Sequence, residues 1–130
     1  MNKLTKFLKM LSSETRLRII NLLLVCDCCV NEISQILTLS QPLISRHLSM
    51  MNNEGLTKMR RQGLYAIYSI DWESLDIHET NLLKIIQREL LVNRLTEQDL
   101  RKLANARRLL KENFLIQSTN LHIKTTKLRA

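Results

Sequence analysis

The stretch that decides the fold is TLSQPLISRHLSMM, residues 38–51. Ser40 is a residue type that commonly caps the N-terminus of a helix, and Pro42 is tolerated in a first helical turn. Three apolar residues then recur at helical spacing and predict one buried face: Ile44, Leu48 and Met51. The stretch therefore predicts a tight turn at residues 38–40, followed by a helix that ends near residue 53.

Helices are also predicted on the N-terminal side of this stretch. Apolar residues repeat at i, i+3, i+4 and i+7 over residues 4–11 and predict a short amphipathic helix. Ser12 and Ser13 offer a cap for a second helix, and a third helix is predicted from Val30 to the turn. The chain therefore approaches the turn through three short helices.

The C-terminal side changes character after residue 55. Two short runs around Gly63, the second of them YAIYSI at residues 65–70, predict a two-stranded β-hairpin. A long helix is predicted from Asp71 or Ser74 to residue 93, and the pair Thr96 and Asp99 resembles a capping box that opens a last helix to about residue 116. Residues 118–130 are basic, with weak periodicity, and are expected to be irregular.

This order of elements predicts a mainly α protein with a winged helix-turn-helix fold, a two-stranded β-hairpin wing and C-terminal helices suited to dimerisation. In such folds the second helix of the pair enters the major groove and contacts base edges. We expect a domain at residues 1–95, an additional helix at residues 96–117 and a basic tail at residues 118–130. The wide apolar stripe between Leu82 and Leu90 indicates a partner helix.

The predicted recognition helix carries polar side chains opposite its buried face. Arg is suited to guanine, Gln to adenine, and Ser accepts several bases. The hairpin adds cations that suit phosphate contacts. The candidate DNA-binding residues are Ser40, Gln41, Ser45, Arg46, His47, Ser49, Lys58, Arg60 and Arg61. For His47, a half-buried packing role is an equal alternative, and for the hairpin cations the alternative is a solvated tip.

Composition supports a polyanionic partner. The chain has 20 Lys and Arg against 12 Asp and Glu, a net charge of +8, which suits nucleic acid. No Gly-rich phosphate loop, nucleophile elbow or paired catalytic constellation is visible, so an enzyme is not expected. A winged-helix protein-interaction module that does not bind DNA remains an alternative. With no apolar run of membrane length, the sequence predicts a cytoplasmic protein without a membrane partner.

Three cysteines fall within four positions, at Cys26, Cys28 and Cys29. An odd, clustered set differs from a secreted disulfide framework. In a reducing compartment, clustered thiols bind metals or sense redox state more often than they form structural disulfides. Soft or borderline ions such as zinc or copper(I), redox or sulfur-species sensing, and simple packing are the three alternatives.

Three segments together resemble one known family. LSSETRLRII at residues 11–20, LSQPLISRHL at residues 39–48 and MRRQGLYAIY at residues 59–68 are similar to the second helix, recognition helix and wing of the ArsR/SmtB family of metal-responsive repressors. The resemblance covers roughly residues 4–72. It implies a homodimer, paired through the first helix and the long helix after the wing, that binds an inverted-repeat operator.

The resemblance also gives the cysteines a role. In arsenic-responsive members, a Cys-Val-Cys motif that opens the third helix binds trivalent arsenic or antimony. Cys29 matches the first Cys of that motif, Asn31 stands where the second would be, and Cys26 and Cys28 lie just upstream. We therefore expect release from the operator by arsenite or antimonite, with cadmium, zinc or another soft metal as alternatives. A zinc site of other members, here Asp76, His78 and Glu89, is a weaker expectation.

Overall fold

The structure is a computed structural model that describes the backbone of residues 2–129 and the side chains of residues 2–113. The chain forms six α-helices, three β-strands and one short 3-10 helix among these residues. Their bounds are α1 Asn2–Leu11, α2 Glu14–Val25, β1 Cys28–Cys29, α3 Val30–Leu37, α4 Gln41–Asn53, β2 Thr57–Gln62, β3 Tyr65–Ile70, the 3-10 helix Trp72–Ser74, α5 Ile77–Val92 and α6 Arg94–Arg129.

The helix-turn-helix is present at the predicted place. Helix α3 ends at Thr38, whose φ of 57° is in the left-handed region, and this conformation reverses the chain within three residues. Ser40 then caps α4, since its Oγ accepts a hydrogen bond from the Leu43 backbone N–H at 3.3 Å. Ile44, Leu48 and Met51 are fully buried, so α4 is oriented by its apolar face as predicted.

The predicted hairpin is present, but the sheet is larger than the two strands expected. Strands β2 and β3 pair antiparallel from Thr57 opposite Ile70 to Gln62 opposite Tyr65. Strand β1 adds a third strand on the other edge of β3, with Cys28 opposite Tyr68 and Cys29 opposite Ile67. The two-stranded hairpin predicted for the wing is thus confirmed, and it forms part of a three-stranded sheet in the order β1-β3-β2, which the sequence did not predict. Strand β1 could not be predicted from periodicity, because it has only two residues.

One core joins the helices to the base of the sheet. Its buried side chains come from every helix and from all three strands or their ends, and include Phe7, Ile19, Ile33, Leu48, Leu56, Leu83 and Leu103. Arg16 ties α1 to this unit, because its Nε and Nη2 donate to the Met10 and Lys9 carbonyls at 2.6 and 3.0 Å. These bonds satisfy carbonyls at the end of α1 that have no partner within the helix.

The C-terminal helices differ from the sequence expectation. Helix α5 begins at Ile77, capped by Asp76 and Glu79, rather than at Asp71 or Ser74, because a 3-10 turn intervenes. Helix α6 begins at Arg94, before the predicted cap, and the Asn93 side chain accepts from the Leu95 and Thr96 backbone N–H groups. The proposed capping box at Thr96 and Asp99 is therefore wrong.

Helix α6 also continues beyond the predicted end near residue 116. Residues 118–129, expected to be irregular, belong to the same helix, and residues 94–129 contain neither Gly nor Pro to interrupt it. Residue 130 of the predicted tail lies outside the described residues. The division of the chain into a domain, an added helix and a tail stays a prediction. No helix within the described residues is long and apolar enough to cross a membrane.

Asp99 has a different role from the predicted cap. Its carboxylate accepts from Arg18 Nε at 2.9 Å and Nη2 at 3.0 Å, and the two side chains are 1% and 15% exposed. A two-bonded carboxylate–guanidinium pair satisfies both groups away from water. This pair fastens α6 to α2.

We predict that Asp99→Asn lowers the free energy of unfolding by about 3 kcal/mol, because it leaves the Arg18 charge buried without its counterion. Urea unfolding followed by circular dichroism measures the change. Glu97→Gln is the control: it breaks the exposed pair with Arg101 on the same helix and should cost about 0.5 kcal/mol or less. Equal losses for the two variants would contradict a special role for the buried pair.

Candidate DNA-binding surface and thiol pair

Helix α4 presents most of its predicted base-reading side chains to solvent. Gln41, Arg46 and Ser49 are exposed, whereas Ser45 is half-buried. Gln41 Nε2 donates to Asn31 Oδ1 of α3 at 3.0 Å, so this pair spans the two helices of the motif. Ser40 is engaged as the helix cap, and any contact it makes with DNA would come in addition to that role.

His47 lies on the predicted recognition helix, but its side chain also packs against the rest of the protein. It is half-buried, and its Nδ1 accepts a hydrogen bond from Arg16 Nη1 at 3.3 Å. Burial first, and then the charges of Arg16 and Arg46, lower the pKa of His47 below its ordinary value. These surroundings favour the neutral ring, and DNA contact by His47 stays a prediction.

The wing carries three cations on β2. Lys58, Arg60 and Arg61 are all exposed. Arg60 also forms an ion pair with Asp27, the residue between Cys26 and Cys28. Its Nη1 lies 2.7 Å from Asp27 Oδ2. The structure thus brings a predicted DNA contact to the thiol segment. No sequence pattern indicated this pair, because residues 27 and 60 meet only once β1 joins the sheet.

Two of the three predicted thiols lie together. The Cys26 and Cys28 Sγ atoms are 3.9 Å apart, and Cys28 Sγ also donates to the Cys26 carbonyl at 3.5 Å. Cys26 has extended backbone after α2, and side chains two residues apart in extended chain point to the same side. Cys26 is half-buried and Cys28 is fully buried, so the pair opens to solvent through Cys26.

Cys29 is placed apart from this pair. It follows Cys28 in β1, and neighbouring side chains of a strand point to opposite faces. It is also the N-cap residue of α3, and its backbone N–H donates to Glu32 Oε1 at 3.2 Å. Among residues 2–113, no three His, Cys, Asp or Glu side chains are grouped to hold a metal. The predicted three-thiol set is thus present as a pair plus one separate thiol.

The alternative zinc residues are also apart. Asp76 caps α5 and pairs with Lys3 Nζ at 2.9 Å, while His78 and Glu89 are exposed. The Glu79 backbone N–H and Lys3 hold the pKa of Asp76 down to about 2. Asp76 therefore acts as a helix cap.

The surroundings of the thiol pair favour the thiolate form of Cys26 over that of Cys28. The hydrogen bond with Cys28 lowers the pKa of Cys26 to about 7 against the effect of burial, and Arg107 of α6 adds to the lowering. The same hydrogen bond, together with burial, raises the pKa of Cys28 well above its ordinary range. Cys26 is the nucleophilic member of the pair. Sequence reasoning missed Arg107, since only a long-range contact brings it to residue 26.

A surface helix behind a tight turn, beside a cationic wing, is the architecture of DNA-binding transcriptional regulators with a winged helix-turn-helix. The family model described as bacterial regulatory protein, arsR family, matches residues 13–58. The arsenical resistance operon repressor of Staphylococcus xylosus is 31% identical over 80 residues, which cover 62% of this chain and 77% of that protein. The chain belongs to the ArsR family.

Two further proteins are similar to this chain over part of its length. A cadmium resistance transcriptional regulatory protein, a CadC homolog of Staphylococcus aureus, is 36% identical over 52% of this chain and 57% of its own length. The solved structure of HlyU from Vibrio cholerae N16961 superposes with a TM-score of 0.59 and 28% identity, covering 67% of this chain and 90% of that one. The relatives are named as transcriptional regulators, which agrees with the prediction that this chain is not an enzyme.

We predict that Cys26 is alkylated by iodoacetamide ahead of Cys28 and Cys29, with half-maximal rate near pH 7, because the thiolate is the reactive form and persists above its pKa. Mass spectrometry of timed digests measures the three rates. Arg107→Gln should move the Cys26 midpoint to higher pH, whereas Arg108→Gln, one residue further along α6, should leave it in place. A Cys26 midpoint near 8.5, the value of a free thiol, would contradict the geometry.

Proposed function

We propose that this ArsR-family regulator represses transcription as a homodimer on an inverted-repeat operator and leaves the DNA when a thiophilic ion binds its clustered cysteines. The observation that carries the proposal is the 3.9 Å approach of the Cys26 and Cys28 sulfurs in the segment that leads directly into the helix-turn-helix. The rest of the site is built from α4 and the wing.

The DNA side of the proposal uses the exposed face of α4. Arg46 is proposed to read a base, with Gln41, Ser45, His47 and Ser49 around it. Lys58, Arg60 and Arg61 are proposed to contact phosphates, which sets the register of the protein on the duplex without reading the sequence. Two such helices in a two-fold dimer would meet the major groove about one DNA turn apart, roughly 34 Å.

Exposed apolar side chains support a second copy as the partner. Leu4 and Leu8 on α1 and Ile77 and Ile85 on α5 are 47–66% exposed. These are the two helices that the family resemblance assigns to pairing. Burying such side chains against a partner would stabilise the dimer through the hydrophobic effect.

The residues present suit a soft ion. Thiolates select thiophilic ions over magnesium or calcium, and the named relatives concern arsenical and cadmium resistance. Cys26 and Cys28 would hold the ion as a pair. A third bond, as trivalent arsenic or antimony forms, would need Cys29 to turn from the opposite face. That would require β1 to separate from β3 at Tyr68 and Ile67, and would thereby disturb the base of the wing.

Redox or sulfur sensing is the second candidate function, favoured by the same two sulfurs. Attack of the Cys26 thiolate on a low-molecular-weight disulfide, followed by attack of Cys28, would join the two cysteines and release two thiols. This reaction needs no third cysteine. Cys29→Ser therefore separates the two candidates if the inducing ion takes three thiolates.

We predict that Arg46→Ala weakens operator binding and relaxes base preference by about 1–3 kcal/mol at one position, because a bidentate contact is lost. Arg61→Ala should instead weaken binding to all duplexes and reduce the salt slope by about 1. Fluorescence anisotropy with operator and random duplexes at several salt concentrations measures both. Arg101→Ala is the control for both variants, because it removes the same charge from an exposed site on α6. An unchanged operator affinity in Arg46→Ala would mean that α4 does not read DNA as proposed.

We predict that arsenite or antimonite releases the wild-type protein from its operator, and that Cys26→Ser with Cys28→Ser abolishes the release while leaving ion-free DNA affinity intact. An anisotropy titration with arsenite, antimonite, cadmium, zinc and oxidised glutathione compares the inducers. Release by oxidised glutathione alone would favour the redox function. Release that persists in the triple variant with Cys29→Ser would overturn both functions for the cysteines.

A further inference from the structure

Asp27 lies between the two paired cysteines and reaches the wing. Its Oδ2 is 2.7 Å from Arg60 Nη1, and the two side chains are 43% and 53% exposed. Arg60 is one of three cations on β2. A carboxylate at this distance offsets the positive charge that a DNA phosphate would meet.

Arg107 of α6 holds the same segment from the other side. Its Nη2 donates to the Asp27 backbone carbonyl at 2.8 Å, and its Nε lies 2.8 Å from Glu32 Oε2. Asp27 is therefore held at its backbone by α6 and at its side chain by the wing. Arg107 lies well outside residues 13–58, the part of the chain that matches the family model.

The cysteine segment, the wing and α6 line a cleft of about 640 Å³. Its wall includes Cys26, Arg60, Gly63 and Arg107. The thiol pair, the wing and α6 thus meet around one space. Besides the pairing of β1 with β3, the ion pair of Asp27 and Arg60 therefore links the segment at residues 26–28 directly to the wing.

Carboxylate and phosphate compete for a guanidinium because both present anionic oxygens that accept hydrogen bonds from its N–H donors. While Asp27 occupies Arg60, two of the three β2 cations, Lys58 and Arg61, have no ion pair among residues 2–113. A phosphate that takes the same N–H donor of Arg60 displaces Asp27 from it.

We propose that Asp27 is a built-in competitor of DNA phosphate for Arg60, positioned by Arg107, so that the thiol segment sets the positive charge that the wing presents. The inference rests on the proposed DNA-binding function of the wing and deepens it by naming its regulation. An event at Cys26 and Cys28 that holds Asp27 more firmly on Arg60 lowers DNA affinity, as the proposed release requires, and one that moves Asp27 away raises it. By linkage, DNA binding changes the affinity of the thiols for their ligand by the same factor.

The first test uses the full-length, reduced protein without any ion. Asp27→Asn should raise affinity for a random duplex by up to about fivefold, since an exposed ion pair is worth about 1 kcal/mol or less. The salt slope should become steeper by about 1, because Arg60 gains a phosphate. Glu73→Gln is the matched control: it removes one exposed negative charge from the 3-10 helix and should change neither quantity by as much.

A double-variant cycle tests whether the gain passes through Arg60. In the Arg60→Ala background, Asp27→Asn should bring no more gain than Glu73→Gln does. A general structural role for Asp27 predicts lost affinity, or a gain that Arg60→Ala leaves intact, and either result would overturn the proposal. Thermal unfolding by circular dichroism confirms that each variant is folded.

The role of Arg107 is tested with its neighbour. Arg107→Gln should raise DNA affinity relative to Arg108→Gln, which removes the same charge from an exposed site one residue away. In the Asp27→Asn background this difference should disappear. A difference that persists there would show that Arg107 does not act through Asp27.

The outcomes separate this inference from the proposed function. Equal affinities for Asp27→Asn and Glu73→Gln would overturn the competitor role, while Arg46-dependent operator binding and cysteine-dependent release would still stand. Absence of salt-dependent DNA binding by the wild-type protein would overturn the proposed function, and this inference with it.

Discussion

The pairing of Cys28 and Cys29 with the central strand of the sheet is the constraint on which the arrangement of both sites depends. This two-residue strand keeps the chain extended between α2 and α3. Extended backbone places Cys26 and Cys28 on one side and Cys29 on the other. The same pairing brings Asp27 to within 2.7 Å of Arg60. The thiol pair and the wing are therefore parts of one sheet, in which β1 and β2 lie on opposite edges of β3.

Helix α6 completes this arrangement from outside the segment that matches the family model. The buried pair of Arg18 and Asp99 fastens it to α2, and Arg107 then contacts the cysteine segment eighty residues away in sequence. The buried pair sets position, while the exposed pairs of Arg60 and Arg107 are the ones that solvent and phosphate can replace at low cost. This division between a fixed contact and exchangeable contacts suits the proposed change in DNA affinity.

Sequence reasoning succeeded where the determining interactions are local. The Ser40 cap, the buried face of α4 and the hairpin around Gly63 each depend on residues within a few positions of one another. It failed for the third strand and for Asp99. The two residues of β1 show no periodicity of their own, and Asp99 looks like a cap until Arg18 is seen beside it. The end of the long helix near Asn93 was predicted, but the start of α6 at Arg94 was missed, since Thr96 offered an equally good local signal for a cap.

By itself, then, the sequence determined the winged helix-turn-helix, the outward face of Arg46 and the presence of three thiols before α3. Hydrophobic periodicity and capping chemistry suffice for these, because each is decided within one or two turns of chain. Only the tertiary structure decided which thiols meet, which cation the wing keeps paired, and that α6 reaches back to Asp27. Those contacts join residues 33 or 80 positions apart or depend on strand register, and no local pattern encodes either.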